Sequence, residues 1–249
     1  MRASVLIGRL AGENSMSKIY VPSLGPQSWQ ALLADPEKQW KTRYSARIIA
    51  HCWEAADGLP PEIAGLFGDD AELLIAIPEH KVSLQDAGRP SQTDVFALVK
   101  SKTKTIAVAV EGKVDESFGP TIKDWYTEPS PGKQQRLKFL CDQIGVTFKP
   151  TDDHLHYQLF HRTASAVLEA ERFKTDEAAM IVHSFSPENK WLDAYAAFLR
   201  LFGLSRYRLI FLVRPARHDL QRVIRQRPLQ CLRLTPRRAH PDVVLLIGR

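Results

Sequence analysis

The chain has 249 residues, 44% of them hydrophobic and 25% charged, an ordinary globular balance with volume for one large domain or two small ones. No apolar run reaches the roughly 20 residues of a membrane span. The opening MRASVLIGRLAGENS is too weakly apolar for a secretory leader, so a cytoplasmic protein with no membrane role is expected. The net charge of +6 is not spread evenly. Residues 206–249 hold eleven Arg, no Lys and two acids, a net of +9, while the rest of the chain nets −3. The basic balance therefore belongs to the tail and gives weak support to a broad polyanion-binding surface. Cys52, Cys141 and Cys231 are odd in number and far apart, which predicts buried, reduced thiols.

Residues 1–16 read as a disordered arm, 17–205 as the main domain, and 206–249 as an atypical Arg-rich segment. Within the domain, residues 18–21 predict a short strand and 28–34 a helix with Ser28 as its cap. Asp35-Pro36-Glu37 has the cap-then-proline order of a helix start. Trp40, Tyr44, Ile48 and Cys52 continue it as one apolar stripe that stops at 58–61. A short helix is expected over 61–67. LLIAI, at 73–77, is a first core strand, and the polar stretch 83–93 is a loop.

Two apolar runs follow, at 94–99 and 105–113, rich in β-branched or aromatic residues and separated by the polar turn 101–104. They predict a β-hairpin. Folding it between Lys102 and Thr103 sets Asp94 opposite Glu111, Phe96 opposite Ala109 and Leu98 opposite Ala107. Opposed residues share a face, with Cβ atoms about 4.5–5.5 Å apart. Lys113, two residues on, points the same way as Glu111. Two carboxylates and an amine thus converge at the end of an apolar hairpin. Burying such a cluster is costly unless something compensates it, and a divalent cation is one common compensation.

Beyond the hairpin, 119–132 is a loop or short helix. Residues 133–144 form a helix with Leu137, Leu140 and Ile144 inward, and 155–173 form a longer one. A strand at 178–185 and an amphipathic helix at 188–202, with Trp191, Tyr195, Phe198 and Phe202 on one stripe, complete the domain. A last strand is expected at 206–213. The alternation favours an α/β fold, a central mixed sheet flanked by helices on both faces.

This order resembles the PD-(D/E)XK nuclease superfamily, the restriction-endonuclease-like fold. Asp94 at the head of the second core strand and Glu111-Gly112-Lys113 at the tail of the third carry the likeness. Pro90-Ser91 resembles the degenerate first half-motif, standing four residues before Asp94 where the superfamily places it directly before. The chain is also similar to an uncharacterised bacterial protein family through YSARIIAHCWE, VAVEGKVDE, QLFHRTASAVLEAERF and MIVHSF. The nuclease resemblance implies Mg²⁺ (or Mn²⁺) held by Asp94, Glu111 and the Gly112 carbonyl. It implies Lys113 assisting the attacking water and phosphodiester hydrolysis in DNA rather than RNA. It also suggests Gln158 as a further catalytic residue, and Glu54 and Arg162 as outer-shell or phosphate contacts. Gln158, Arg162 and Ser165 share a helix face.

Glu-x-Lys is a common triplet. Glu79-His80-Lys81 and Glu188-Asn189-Lys190 also occur, and of the three only Glu111 is paired here with an opposed acid. His154 and His156 read as a loop feature, His161 as a structural histidine. The competing readings are a catalytically inactive scaffold or interaction module of the same fold, and a small-molecule hydrolase or lyase using the same carboxylates. A homodimer or protein partner would compensate for the acidic body in binding nucleic acid.

Overall fold

The computed structural model describes residues 23–84, 88–102, 104–202 and 242–246. The strands expected at 18–21 and 206–213, and Cys231, lie outside them. Among the described residues, five strands form one mixed sheet in sequential order. They are β1 (Glu72–Val82), β2 (Ser91–Ser101), β3 (Lys104–Lys113), β4 (Glu177–Ser184) and β5 (Asp242–Leu246). The first three are mutually antiparallel, while β4 runs parallel to β3 and β5 parallel to β4. The Arg-rich segment therefore contributes backbone to the sheet. No helix among the described residues is long and apolar enough to cross a membrane.

The β2–β3 register is the one that the turn dictates: Phe96 faces Ala109, Leu98 faces Ala107, and Ser101 faces Lys104. The turn needs positive φ, and Lys102 adopts φ 50° while its amide donates to Asp70 Oδ2 at 2.6 Å. Strand alternation then separates two cores. Phe96, Ala107, Ala109, Met180 and Val182 face α5 (Pro131–Ile144), α6 (Tyr157–Phe173) and α7 (Leu192–Leu199). Val95, Ala97, Val108, Val110 and Ile181 face α2 (Ser45–Glu54) and α3 (Pro61–Phe67). Every residue of β4 is buried, as expected for a strand with parallel neighbours and helices on both sides. Along the α6 face the sheet contributes Ala107, Ala109 and Ala178 to the same buried core as Ala164, Ala166 and Ala170 of the helix. Small residues on both surfaces let the helix lie close to the strands.

Several elements depart from the sequence reading. Residues 26–32 form a 3₁₀ helix, and Ser28 Oγ accepts from the Leu24 amide outside the helix. Asp35 caps α1 as expected, but α1 covers only Pro36–Gln39. The chain then breaks, with Arg43 at φ 72°. Arg43 is held there by an ion pair to Asp115 at 2.7 Å. The restart rotates the buried stripe to Ile49, Cys52 and Trp53, while Tyr44 is exposed. The last helix ends as a 3₁₀ turn over Arg200–Phe202 and buries Tyr195 and Phe198. The loop at 119–132 contains α4 (Ile122–Trp125). It opens with a capping box between Thr121 and Asp124.

No side chain caps the start of α2 from its own residue Tyr44. Glu116, just beyond β3, does so from across the sheet. Its Oε1 accepts from the Ser45 amide at 2.8 Å and its Oε2 from the Val114 amide at 3.2 Å. This pins α2 directly over the end of β3, where Gly112 makes room for it. A Cβ on Gly112 would stand 3.0 Å from Ser45 Cβ, 3.2 Å from Asp94 Oδ2 and 3.3 Å from Ile49 Cδ1. Gly112→Ala is therefore expected to destabilise the fold by about 1–3 kcal/mol, the usual cost of overpacking. Urea unfolding measures this, and an alanine variant as stable as wild type would contradict the tight seating of α2.

Candidate functional site

Asp94 and Glu111 lie one rung beyond the Val95–Val110 pair, so the register sets them opposite each other. The carboxylates belong to the face that packs on α6, and that helix completes the site. Glu111 is 3% exposed. Its Oε1 accepts from Lys113 Nζ at 2.6 Å and from Gln158 Nε2 at 2.7 Å, and its Oε2 from Arg162 Nε at 2.6 Å. Gln158 and Arg162 stand one turn apart on α6, which brings both to the same carboxylate. Asp94 Oδ2 accepts from the Gly112 amide at 2.7 Å.

A third carboxylate joins them. Strand β1 does not stop at Ile77 but continues through Pro78 to Val82. A proline is tolerated there because, among the described residues, β1 is an edge strand paired with β2 alone. Pro78 pairs with Val95 and His80 with Thr93, which sets Glu79 opposite Asp94. Glu79 itself adopts φ 51°, a strained conformation for a non-glycine residue that costs on the order of 1 kcal/mol. It is 9% exposed, and its Oε2 accepts from Gln92 Nε2 at 2.9 Å. Glu79, Asp94 and Glu111 thus form a row across three strands. The expectation that Glu79 has no acid opposite it is corrected: the partner comes from the following strand.

The charges in this row do not balance. Three carboxylates face two cations, Lys113 and Arg162, and the protonation equilibria carry the difference. Burial alone would raise Glu111, but Arg162 and then Lys113 hold it below the usual carboxylate range. Asp94 is pushed up to about 7, first by burial and then by the charge of Glu111. Glu79 is raised well above its ordinary value by burial and by Asp94. The excess negative charge of the row shows as a raised proton affinity at Asp94 and Glu79.

Behind the row, Arg162 Nη1 donates to Ser91 Oγ at 3.0 Å, and Ser91 Oγ lies 2.9 Å from His161 Nδ1. Burial and then Arg162 hold His161 well below its ordinary value, hence neutral. Ser91, from the degenerate half-motif, therefore braces Arg162. Glu54 is placed elsewhere. It accepts from Trp29 Nε1 at 2.7 Å and from the Ser23 hydroxyl, fastening the 3₁₀ segment to α2. Ser165 donates to the His161 carbonyl within its own helix. His154 and His156 bind the Thr151 and Gly119 carbonyls, as befits a loop.

Residues 22–223 match the family described as Domain of unknown function (DUF6946). The chain belongs to this family. Its boundary runs past residue 205, where the sequence reading ended the domain. No curated protein and no solved structure matches the chain.

The site residues missed from sequence are Glu79 and Gln92. Glu79 emerges only from the β1–β2 register, which sets it level with Asp94. The raised carboxylates give the site a pH signature. A group whose folded pKa is raised contributes stability that is full below its unfolded value and is lost as pH rises through the folded one. For Asp94 that window runs from about 4 to about 7. Buried neutral His161 gives the opposite slope below its ordinary value, but equally in both proteins compared. The stability of Asp94→Asn relative to wild type is therefore expected to rise from pH 4 to pH 8. Urea midpoints across that range check it, and parallel curves would contradict the raised Asp94.

Proposed function

We propose that this protein is a Mg²⁺-dependent (or Mn²⁺-dependent) phosphodiesterase of the PD-(D/E)XK type, with a restriction-endonuclease-like fold and nucleic acid, DNA before RNA, as its substrate. The observation that carries this reading is the row of three carboxylates, one negative charge in excess of its cations, at the end of an antiparallel β1–β2–β3 unit with Lys113 beside it. Such an all-oxygen, net-anionic set suits a hard divalent cation. Asp94 and Glu111 would hold the metal, with the Gly112 carbonyl, and Glu79 joins them as a third carboxylate. When bound, the metal supplies acidity to a coordinated water and offsets charge on the scissile phosphate.

The protein's own groups then have distinct tasks. Glu111 is held in one orientation by Arg162, Gln158 and Lys113, so its position is preorganised. Lys113 is a hydrogen-bond donor fixed on Glu111, and its role is to orient the attacking water and stabilise charge on the phosphate. Asp94 would serve as a ligand whose proton the cation displaces, and the proton of the attacking water passes to solvent. The water oxygen bonds to phosphorus, the P–O bond to the leaving sugar breaks, and the leaving oxygen takes a proton to become a hydroxyl.

A cleft next to α6 supports a polyanionic substrate. It is lined by Arg89, Trp125, Gly132, Lys133, Arg136 and Tyr157. Trp125 stacks on Tyr157 with ring centroids 4.1 Å apart, and Lys133 lies over Trp125. Cations interleaved with an aromatic pair suit a phosphate chain carrying bases. Tyr157 of this cleft is followed on α6 by Gln158, the donor to Glu111.

One observation favours a non-catalytic member of the same fold: both oxygens of Glu111 are already taken by protein donors. Cleavage assays separate the two. Wild-type protein is expected to nick supercoiled DNA with Mg²⁺ or Mn²⁺ and not with EDTA. Asp94→Asn and Glu111→Gln are expected to lose at least about 100-fold, near 2.7 kcal/mol of transition-state stabilisation. Equal traces for wild type and both variants, or no cleavage of DNA or RNA with either metal, would remove the enzymatic reading in favour of the scaffold.

A further inference from the structure

The opposite face of the sheet carries a second cluster of a different chemistry. Cys52 comes from α2, Glu62 from the first turn of α3, and His183 from the end of β4. His183 is level with Gly112 in the ladder. It belongs to the face of Ala179 and Ile181, which packs on α2 and α3. The thiol, carboxylate and imidazole ligand atoms all lie within 4.8 Å of one another. Cys52 Sγ is 3.6 Å from Glu62 Oε1, and His183 Nε2 is 3.1 Å from the same oxygen. Cys52 is 6% and His183 1% exposed, and the Glu62 side chain is 26% exposed.

We propose that Cys52, Glu62 and His183 form a transition-metal site of the Zn²⁺ class, with three protein ligands and a fourth position open to solvent past Glu62. It is separate from the carboxylate row and independent of the nuclease reading. Tetrahedral bonds of about 2.0–2.3 Å put neighbouring ligand atoms about 3.3–3.6 Å apart. The two separations to Glu62 Oε1 already lie within about 0.2 Å of that spacing, so a side-chain rotation completes the tripod. The donor set is selective. A thiolate and an imidazole favour Zn²⁺ and its neighbours, whereas Mg²⁺ prefers oxygen alone. The charge also fits: a divalent ion neutralises one thiolate and one carboxylate, which makes the set inexpensive to bury. On binding, the Cys52 thiol proton passes to water, so affinity rises with pH. The three ligands join α2, α3 and the end of β4, and the metal would tie both helices to the sheet.

Co²⁺ is the probe, added to tag-free full-length protein stripped with EDTA. One equivalent is expected to give thiolate-to-cobalt charge transfer in the near ultraviolet and visible bands of a tetrahedral site, and Zn²⁺ is expected to bleach both. Cys52→Ser should lose the charge-transfer band while keeping its far-ultraviolet circular dichroism. Glu62→Gln keeps the thiolate but should weaken Co²⁺ at least about tenfold, the lower limit for losing even an outer partner of a metal ligand. Glu111→Gln should leave the spectrum unchanged, which keeps this site distinct from the carboxylate row. A wild-type protein with no thiolate band, a band that survives Cys52→Ser, or Co²⁺ affinity untouched by Glu62→Gln would overturn the assignment.

Discussion

Three acidic side chains on adjacent strands, served by only two basic ones, set the terms for everything around them. A sheet end of this kind is unstable as drawn from sequence alone, because each buried carboxylate needs a partner. The fold answers with α6, which delivers Gln158 and Arg162 to Glu111. It answers again with the Gly112 amide, which donates to Asp94. The remaining imbalance raises the proton affinity of Asp94 and Glu79. Removing one cation would strand a buried negative charge, a loss on the order of 3–5 kcal/mol. The helix that builds the site is thus also the helix that the site holds in place.

The two faces of the sheet divide the chemistry. The α6 face carries oxygen donors and cations, and its neighbouring cleft offers Arg89, Lys133 and Arg136 beside stacked aromatic rings. The α2 face carries sulfur and nitrogen donors in Cys52 and His183. Gly112 sits between them. Its amide serves Asp94, and its missing side chain admits Ser45 and Ile49 of α2. Backbone geometry at this one residue therefore connects the seating of α2 to the position of a site carboxylate. Burial, and then the charge of Asp142, pushes the Cys141 thiol up to about 11, which disfavours the reactive thiolate.

The hairpin was legible because a two-residue turn and strict alternation leave one register that buries the apolar residues. That register brought Asp94 to Glu111, and helical periodicity brought Gln158 and Arg162 to one face. Glu79 was not legible, because proline at position 78 reads as a strand end and a left-handed glutamate has no local sequence signature. The break between α1 and α2 was hidden for a similar reason: Arg43 takes a conformation usually left to glycine, secured by Asp115 from a distant strand end. Glu54 fell on the right helix but at its far end, where Trp29 claims it. The cluster of Cys52, Glu62 and His183 spans 121 positions between two of its members. Its spacing follows no metal-binding pattern, so tertiary structure alone assembles it.

In the proposed site a divalent cation would replace a proton of the carboxylate row. Carbon-13 carboxyl resonances of Asp94, followed from pH 4 to pH 9 with and without Mg²⁺, test it most directly. The expected midpoint is near 7 without metal, with a fall of more than about one unit when Mg²⁺ is present. A midpoint in the ordinary aspartate range, or one that Mg²⁺ leaves unmoved, would contradict it.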